Sequence, residues 1–354
     1  MQIYNNKPQK SKVMKNIYFT LVLVITSIIS SAAIIHVDMD KERPAGYYAD
    51  LQLAINNANS GDTIFIYPAN NDYGQITIKK QLHLFGFGYD GNTNGVSRID
   101  RLYLDTNATE NTNSSGSSIQ GLTIDYFYIQ KHNINNISLI GNYIRYSIVL
   151  ENNCSNFTIK NNYIGSYLNI DGASNVVISN NIFRGGDNYS IYSSNSSSNV
   201  ILNNLFMSFR HFNNVSNAIV SNNIFICSYD ANQTYMNNNN FQNNLSWRST
   251  LDPYPLPPTG NTGSGNISNQ DPLFETGQAS GSFDIYQDYH LKSTSPGKNA
   301  GTDGTDIGPY GGANPFVWGG AFTIPKVTEL IIETPVVNQG TSVNVKLKAE
   351  KAQY

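Results

Sequence analysis

The sequence predicts an all-β chain wound into stacked coils, and three observations predict it. A pair of asparagines followed by apolar residues recurs about every twenty residues between positions 137 and 245. Apolar side chains hold two fixed offsets in the copies anchored from 122 to 223. Charged residues are only 13% of the 354, about half the share of an ordinary soluble domain, and about 50 asparagines fill the polar share instead. The net charge of −3 argues against a general nucleic-acid binder, which needs a basic face. A hydrophobic content of 40% with so little charge does not fit disorder. Two cysteines are too few for a disulfide-rich scaffold or a cysteine-based zinc finger.

Taken in order, residues 1–33 read as an export signal, with Met14 as the candidate start. Lys15 supplies a positive end, 17–29 an apolar run, and Ser30 and Ala32 the small-x-small cleavage pattern. The competing reading is a retained anchor, since 17–35 is mostly apolar and about 20 such residues cross a bilayer. Either reading places the remainder in the periplasm, at the cell surface or in the medium, and no later segment is apolar enough to span. Leu51, Ala54, Ile55 and Ala58 have helical spacing and predict a short helix that caps the open end of the core. Gly61 and Asp62 turn into a first strand over 63–67, and 75–79, 82–87 and 98–104 read as further strands.

The repeat itself runs through anchor asparagines at 142, 162, 181, 204, 223 and 244, spaced 20, 19, 23, 19 and 21 residues apart. Leu122 holds the anchor position in one earlier copy. Three residues before the anchor stand Ile119, Leu139, Ile159, Ile178, Ile201 and Val220; two residues after it stand Ile124, Ile144, Ile164, Phe183, Phe206 and Phe225. Side chains alternate faces along a strand, so short strands with a bend between them bury both columns. Such a repeat fits one coil of three short strands and three turns. Coils stacked in parallel about 4.8 Å apart set like residues above like. Stacked Ile and Phe then form a continuous core. Stacked Asn at the bend hydrogen-bond to the next coil, and Asn also tolerates the left-handed backbone a tight bend requires. A leucine-rich horseshoe would need leucines at fixed offsets and a helical segment, and neither is present.

These columns, with the run from Leu51 to Pro68, resemble the right-handed parallel β-helix, or pectin-lyase-like, superfamily over residues 36–320. The resemblance implies about 8–10 coils. The ending is similar to a recurring pattern in exported proteins of the Bacteroidetes type, often of unassigned activity. It is carried by Gln270-Asp-Pro-Leu-Phe274, Tyr289-His-Leu-Lys292 and the stretch from Ser295 to Gly308. Residues 251–268, with three prolines in five residues, read as a long loop, and 269–320 as a closing cap. Residues 325–354 form a short β tail: Val343, Val345 and Leu347 alternate with polar residues, and Asn338-Gln-Gly340 turns a hairpin from 330–337.

Chemistry is less legible. Cys154 and Cys227 fall about four coils apart, roughly 19 Å at strand spacing, and a disulfide needs Cα atoms within about 7 Å; no bond is expected. Three residues after the anchor stand Asp125, Arg145, Gly165 and Arg184, so Asp125 and Arg145 are predicted to pair. Arg145 and Arg184, two coils apart with a glycine between, form a candidate cradle for an acidic sugar, because guanidinium binds carboxylate bidentately. Tyr143 and Tyr163, directly after their anchors, stack as a candidate aromatic platform, and Arg210 and His211 add a candidate base. Asp303-Gly-Thr-Asp306 has the look of a calcium loop without the ligand count of an EF-hand. No other metal or cofactor is indicated.

The resemblance brings polysaccharide lyases and hydrolases into view. Yet the Trp-Ile-Asp-His and Arg-x-Pro-x-x-Arg motifs of pectate lyases are missing, as are the Asn-Thr-Asp, Asp-Asp and Gly-His-Gly motifs of polygalacturonases. The leading expectation is therefore an exported, monomeric surface protein that engages a polysaccharide or cell-surface glycan without catalysis. The alternative is a lyase on an acidic glycan, using Arg145, Arg184, Arg210 and His211.

Overall fold

The computed structural model describes residues 32–40, 43–89, 95–131, 133–151, 153–184, 189–207, 210–226, 236–248, 255–279, 283–320, 325–332 and 345–351. Residues 1–31 of the expected export signal and Cys227 lie outside them. Among the described residues no helix is long and apolar enough to cross a membrane.

The chain is a parallel β-solenoid. One sheet stacks eleven parallel strands in chain order, from Ile34–Val37 to Thr262–Ser264. A second sheet folds round a corner. Arg98–Leu104, Thr123–Ile129 and Tyr143–Val149 run through that corner unbroken, with a register shift between Ile144 and Ser147. Later coils split there into two pieces, as in Tyr163–Ile164 and Tyr167–Asn169. The coil of Thr158–Lys160, Tyr163–Ile164 and Tyr167–Asn169 thus has the three short strands that the repeat length requires. The loop expected over 251–268 is shorter than that, because Thr262–Ser264 pairs in parallel with Asn240–Gln242 as the last rung.

Both apolar columns face inward. Ile119, Leu139, Ile159, Ile178, Ile201 and Val220, and likewise Ile124, Ile144, Ile164, Phe183, Phe206 and Phe225, are fully buried. The phenylalanines stack ring on ring, Phe183 to Phe206 at 4.7 Å and Phe206 to Phe225 at 5.2 Å. The anchor asparagines form a buried ladder beside them. The Oδ1 atom of each accepts from the backbone N–H and the Nδ2 of the anchor before it, as Asn204 Oδ1 does from Asn181 at 2.9 and 3.0 Å. The Nδ2 also donates back to a carbonyl of the preceding coil, as Asn204 does to Ile178. Asn266 extends this ladder past Asn244. The left-handed bend belongs to the other member of each pair: Asn161, Asn180, Asn203, Asn222 and Asn243 have φ between 50° and 56°.

The helix Leu51–Asn57 packs Leu51, Ala54 and Ile55 onto the first coils, with Asp50 as its N-cap, accepting from the Leu53 N–H at 2.8 Å. The C-terminal strands Pro325–Ile332 and Val345–Lys351 pair antiparallel, so the hairpin begins earlier than residue 330.

Residues 269–320 do not close the end of the stack. The chain doubles back through an antiparallel contact of Phe274 with Leu291, and residues 300–320 then run along the flank of the stack, against coil order. Asn243 Nδ2 donates to the Ala300 carbonyl, Asn222 Nδ2 to the Thr302 hydroxyl, Asn203 Nδ2 to Gly308, Asn180 Nδ2 to Pro309 and Gly311, and Asn161 Nδ2 to Pro315. The strap ends where the Tyr89 N–H donates to the Gly319 carbonyl and Gly320 presses on Gly141, a contact so close that a Cβ on Gly320 would strike the Gly141 carbonyl. Beneath it lies a second apolar cluster outside the solenoid. Tyr163, Ile182, Leu205, Ile224 and Leu245 from the coils meet Phe274, Phe283, Tyr289, Leu291, Ile307 and Phe316 from the strap.

Candidate functional site

The corner where the second sheet bends carries the charge. Asp125 sits at the register shift with its side chain 7% exposed. Two guanidiniums hold it. Arg98 Nε and Nη2 donate to its two oxygens at 3.1 and 2.7 Å, and Arg145 Nη1 reaches both at 3.3 and 3.4 Å. A carboxylate taken out of water needs such partners to offset its lost hydration. The hydrogen bonds that Arg98 donates to Asp125 raise the Arg98 pKa above its ordinary value. Asp72 and Asp100 also lie near enough to Arg98 to help hold its charge. Arg145 is where the sequence places it; Arg98 is not among the predicted residues. It comes from a coil that lacks the Asn-Asn motif, and only the strand register sets Arg98 opposite Thr123.

Past the corner, the outer face of the sheet is paved with tyrosine. Tyr103, Tyr126, Tyr128, Tyr146, Tyr167, Tyr189 and Tyr192 come from five successive strands: Arg98–Leu104, Thr123–Ile129, Tyr143–Val149, Tyr167–Asn169 and Tyr189–Tyr192. Tyr103 stacks on Tyr128 at 5.6 Å, and Tyr126 on Tyr146 at 4.7 Å. Farther along, Tyr192 meets Tyr167 and Tyr189 edge-on at 5.3 and 5.5 Å. Rings stacked this way turn their faces to one another and leave edges and phenol oxygens toward solvent. Arginines lie over the rings: Arg101 over Tyr126, Arg145 over Tyr146 and Arg210 over Tyr189, at 5.4 to 5.8 Å. Burial raises the pKa of Tyr128 and Tyr192, so both remain protonated donors at neutral pH. This array was legible as a residue type but not as a surface. Its members sit at no constant offset from the anchor, because the corner between them varies in length.

The structure separates the other predicted residues. Tyr143 and Tyr163 do stack, at 4.7 Å, but Tyr163 is 3% exposed, with Phe283 and Trp318 against it at 5.2 and 5.5 Å. Tyr143 packs against the same cluster and against Tyr89. Their rings are occupied by the strap and offer no platform. Arg184 is exposed, one coil beyond Gly165, its backbone N–H donating to Ile164. Arg210 is exposed too, but the adjacent His211 is fully buried against Phe206 and Phe225, and burial lowers its pKa to about 3. Neighbouring residues of one strand point oppositely, so His211 serves the core and reaches no surface substrate.

The acidic loop is internally satisfied. Asp303 accepts from the Thr305 N–H and hydroxyl, which lowers its pKa, and Asp306 is held by Lys298 at 2.8 Å and by the Asn299 N–H. Among the described residues no group of three or more His, Cys, Asp or Glu stands ready for a metal ion. Cys154 is buried as a free thiol. A polar cleft of about 530 Å³ beside the N-terminal helix is lined by Gln52, Lys79, Lys80, Asp105, Glu110 and Gln130. Its charges balance, and Lys80 is spent on the Asn56 and Ala58 carbonyls at the helix end.

No family model and no curated protein matches the chain. Among solved structures the chain is similar to the crystal structure of pectate lyase Pel9A, with 13% sequence identity and a TM-score of 0.37. That likeness covers 80% of this chain and 98% of the other. The solenoid described above follows from this chain's own strand pairing and owes nothing to that likeness.

Proposed function

We propose that this is an exported, glycan-binding solenoid whose binding surface is the tyrosine strip past the corner, with the arginine corner at its border. The observation that carries the reading is the array itself. Seven tyrosines and three ring-bound arginines share one outer face. Phenol hydroxyls donate to and accept from sugar hydroxyls. Arg101, Arg145 and Arg210 add fixed cations for acidic substituents, and held against rings they lose little freedom on binding. The strip replaces Tyr143 and Tyr163 as the aromatic element, and Arg145 remains from the predicted set.

The test is retention of the mature protein on immobilised neutral and acidic polysaccharides, with product analysis of the flow-through. Retention on at least one polysaccharide is expected, weakened at least tenfold by Tyr146→Ala and by Arg145→Ala. Tyr286→Ala, at a ring 91% exposed on the strap side, is expected to change nothing. Absence of retention on every polysaccharide would sink the reading. New chain ends that vanish in Arg145→Ala would make the protein a lyase instead.

A further inference from the structure

Two surfaces of this molecule present apolar side chains to solvent, and one short stretch of chain joins them. The first lies on the outer face of the eleven-stranded sheet, at its N-terminal end. His36, Phe65 and Phe85 stand in one column on three successive rungs, and Tyr67 and Phe87 form a second column two residues farther along the strands. Tyr47 stacks on His36 at 4.6 Å, Phe65 meets Phe85 at 5.6 Å and Tyr67 meets Phe87 at 4.8 Å. Phe87 is 41% exposed. The next rung sets Gln120 beside Phe85 and ends the patch. The second surface belongs to the C-terminal hairpin. Its register sets Leu330 opposite Leu347 and Ile332 opposite Val345, so these four side chains share one face, and each is more than half exposed. Glu329, Ile331, Lys346 and Lys348 take the other face. A two-stranded hairpin is marginal in water by itself and needs a surface for its apolar side.

The strap delivers the second surface to the first. It ends with the Gly319 carbonyl accepting from the Tyr89 N–H and with Gly320 close to Gly121 and Gly141. Phe87 is two residues from Tyr89, at most about 7 Å of chain. Residues 321–324 alone separate Gly320 from the hairpin strand that starts at Pro325, a reach of at most about 17 Å. From this we infer that the hairpin is a second clasp of the solenoid: Leu330, Ile332, Val345 and Leu347 dock on the aromatic patch around Phe87 and continue the seam that the strap begins. The two surfaces match in size. The hairpin offers two side chains on each of two strands, and the patch offers two columns over three rungs. The apolar cluster beneath the strap already reaches this place through Tyr89, Phe316 and Trp318, so the docked hairpin extends an existing core. Docking in this sense leaves Glu329, Lys346 and Lys348 on the water side. Contiguous exposed apolar side chains mark contact surfaces, and here the tether selects which contact forms. The inference does not depend on the glycan reading.

The experiment is hydrogen exchange of the mature protein, read peptide by peptide by mass spectrometry. An undocked hairpin opens freely, and its amides exchange nearly as fast as those of an unfolded chain. The amides of 325–332 and 345–351 are expected to exchange at least tenfold more slowly than that, and to lose this protection in Phe87→Asp and in Leu347→Asp alike. Ile219→Asp, at a side chain 49% exposed on the same sheet several coils away, is expected to leave the hairpin protected. Circular dichroism checks that the solenoid is intact in each variant, and light scattering is expected to give the mass of a monomer. Hairpin amides unprotected in the parent protein overturn the inference, and so does protection that survives Phe87→Asp. Protection found only in a dimer assigns the cover to a second copy of the chain and overturns it as well.

Discussion

Asn203 and Asn204 are neighbours with different tasks. Asn203 takes the left-handed backbone at φ 54° and lends its amide to the strap; Asn204 is fully buried and joins two coils. Replacing Asn204 by Ala leaves the Asn181 N–H, the Ile178 carbonyl and the Asn223 Oδ1 with fewer partners in a buried setting. An unsatisfied buried group costs about 1–3 kcal/mol, so Asn204→Ala is expected to lose about 3 kcal/mol in urea unfolding. Asn203→Gly, which keeps the bend, is expected to lose less than about 1 kcal/mol. His211 gives a pH signature. Its pKa is about 3 when folded and near 6.5 when unfolded, so between those values the unfolded chain binds the extra proton. Its contribution is whole above pH 6.5 and is lost as pH falls toward 3, by about 1.4 kcal/mol per unit. His211→Leu is expected to flatten that part of the stability profile; an unchanged slope between pH 6.5 and 4.5 would show that another group sets it. The sequence alone reveals both inner columns, because every coil repeats them. Arg98 stays hidden, since its partnership with Asp125 depends on the pairing of Arg98–Leu104 with Thr123–Ile129, and its own coil lacks the Asn-Asn motif that marks the others.

At the scale of elements, the strap is the feature that sequence reading misplaced, and the reason is visible in the motif. The residue after each anchor is Tyr143, Tyr163, Ile182, Leu205, Ile224 and Leu245. That is a third apolar column, pointing outward, and an outward apolar column on a solenoid implies a cover. Its two tyrosines drew attention as a platform, while the four aliphatic residues below them marked the whole column as an interface. The strap supplies the cover with few apolar residues of its own, widely spaced among glycines and turns, so no periodicity betrays it. Its docking by side-chain amides is separable from its packing. Asn180→Ala removes two hydrogen bonds, to Pro309 and Gly311, at about 1–3 kcal/mol. The expected outcome is faster proteolysis within residues 299–313 while the solenoid's circular dichroism stays unchanged. Equal protection in variant and parent would show that packing alone holds the strap. The helix Leu51–Asn57, by contrast, was readable from spacing because a buried face of three residues and an N-cap leave a local mark.

For the whole molecule, stability comes from two parallel cores, one inside the coils and one between coils and strap. Each coil touches chiefly its neighbours, so the inner core alone would behave as a one-dimensional stack. The strap breaks that locality. It ties Asn243, in one of the last full coils, to the same peptide segment that ends against Gly141 and Tyr89, several coils earlier. The two ends of the described solenoid chain, residues 32 and 320, are consequently not at opposite tips. Under tension applied between them, force enters at the first coil and leaves near the fourth. The far coils carry no load until the strap has peeled away, clasp by clasp, from Asn161 to Asn243. The fold is thus wired like a drawstring: the part of the stack most distant from both attachment points is mechanically sheltered, and the first structure to yield is the seam rather than the coil.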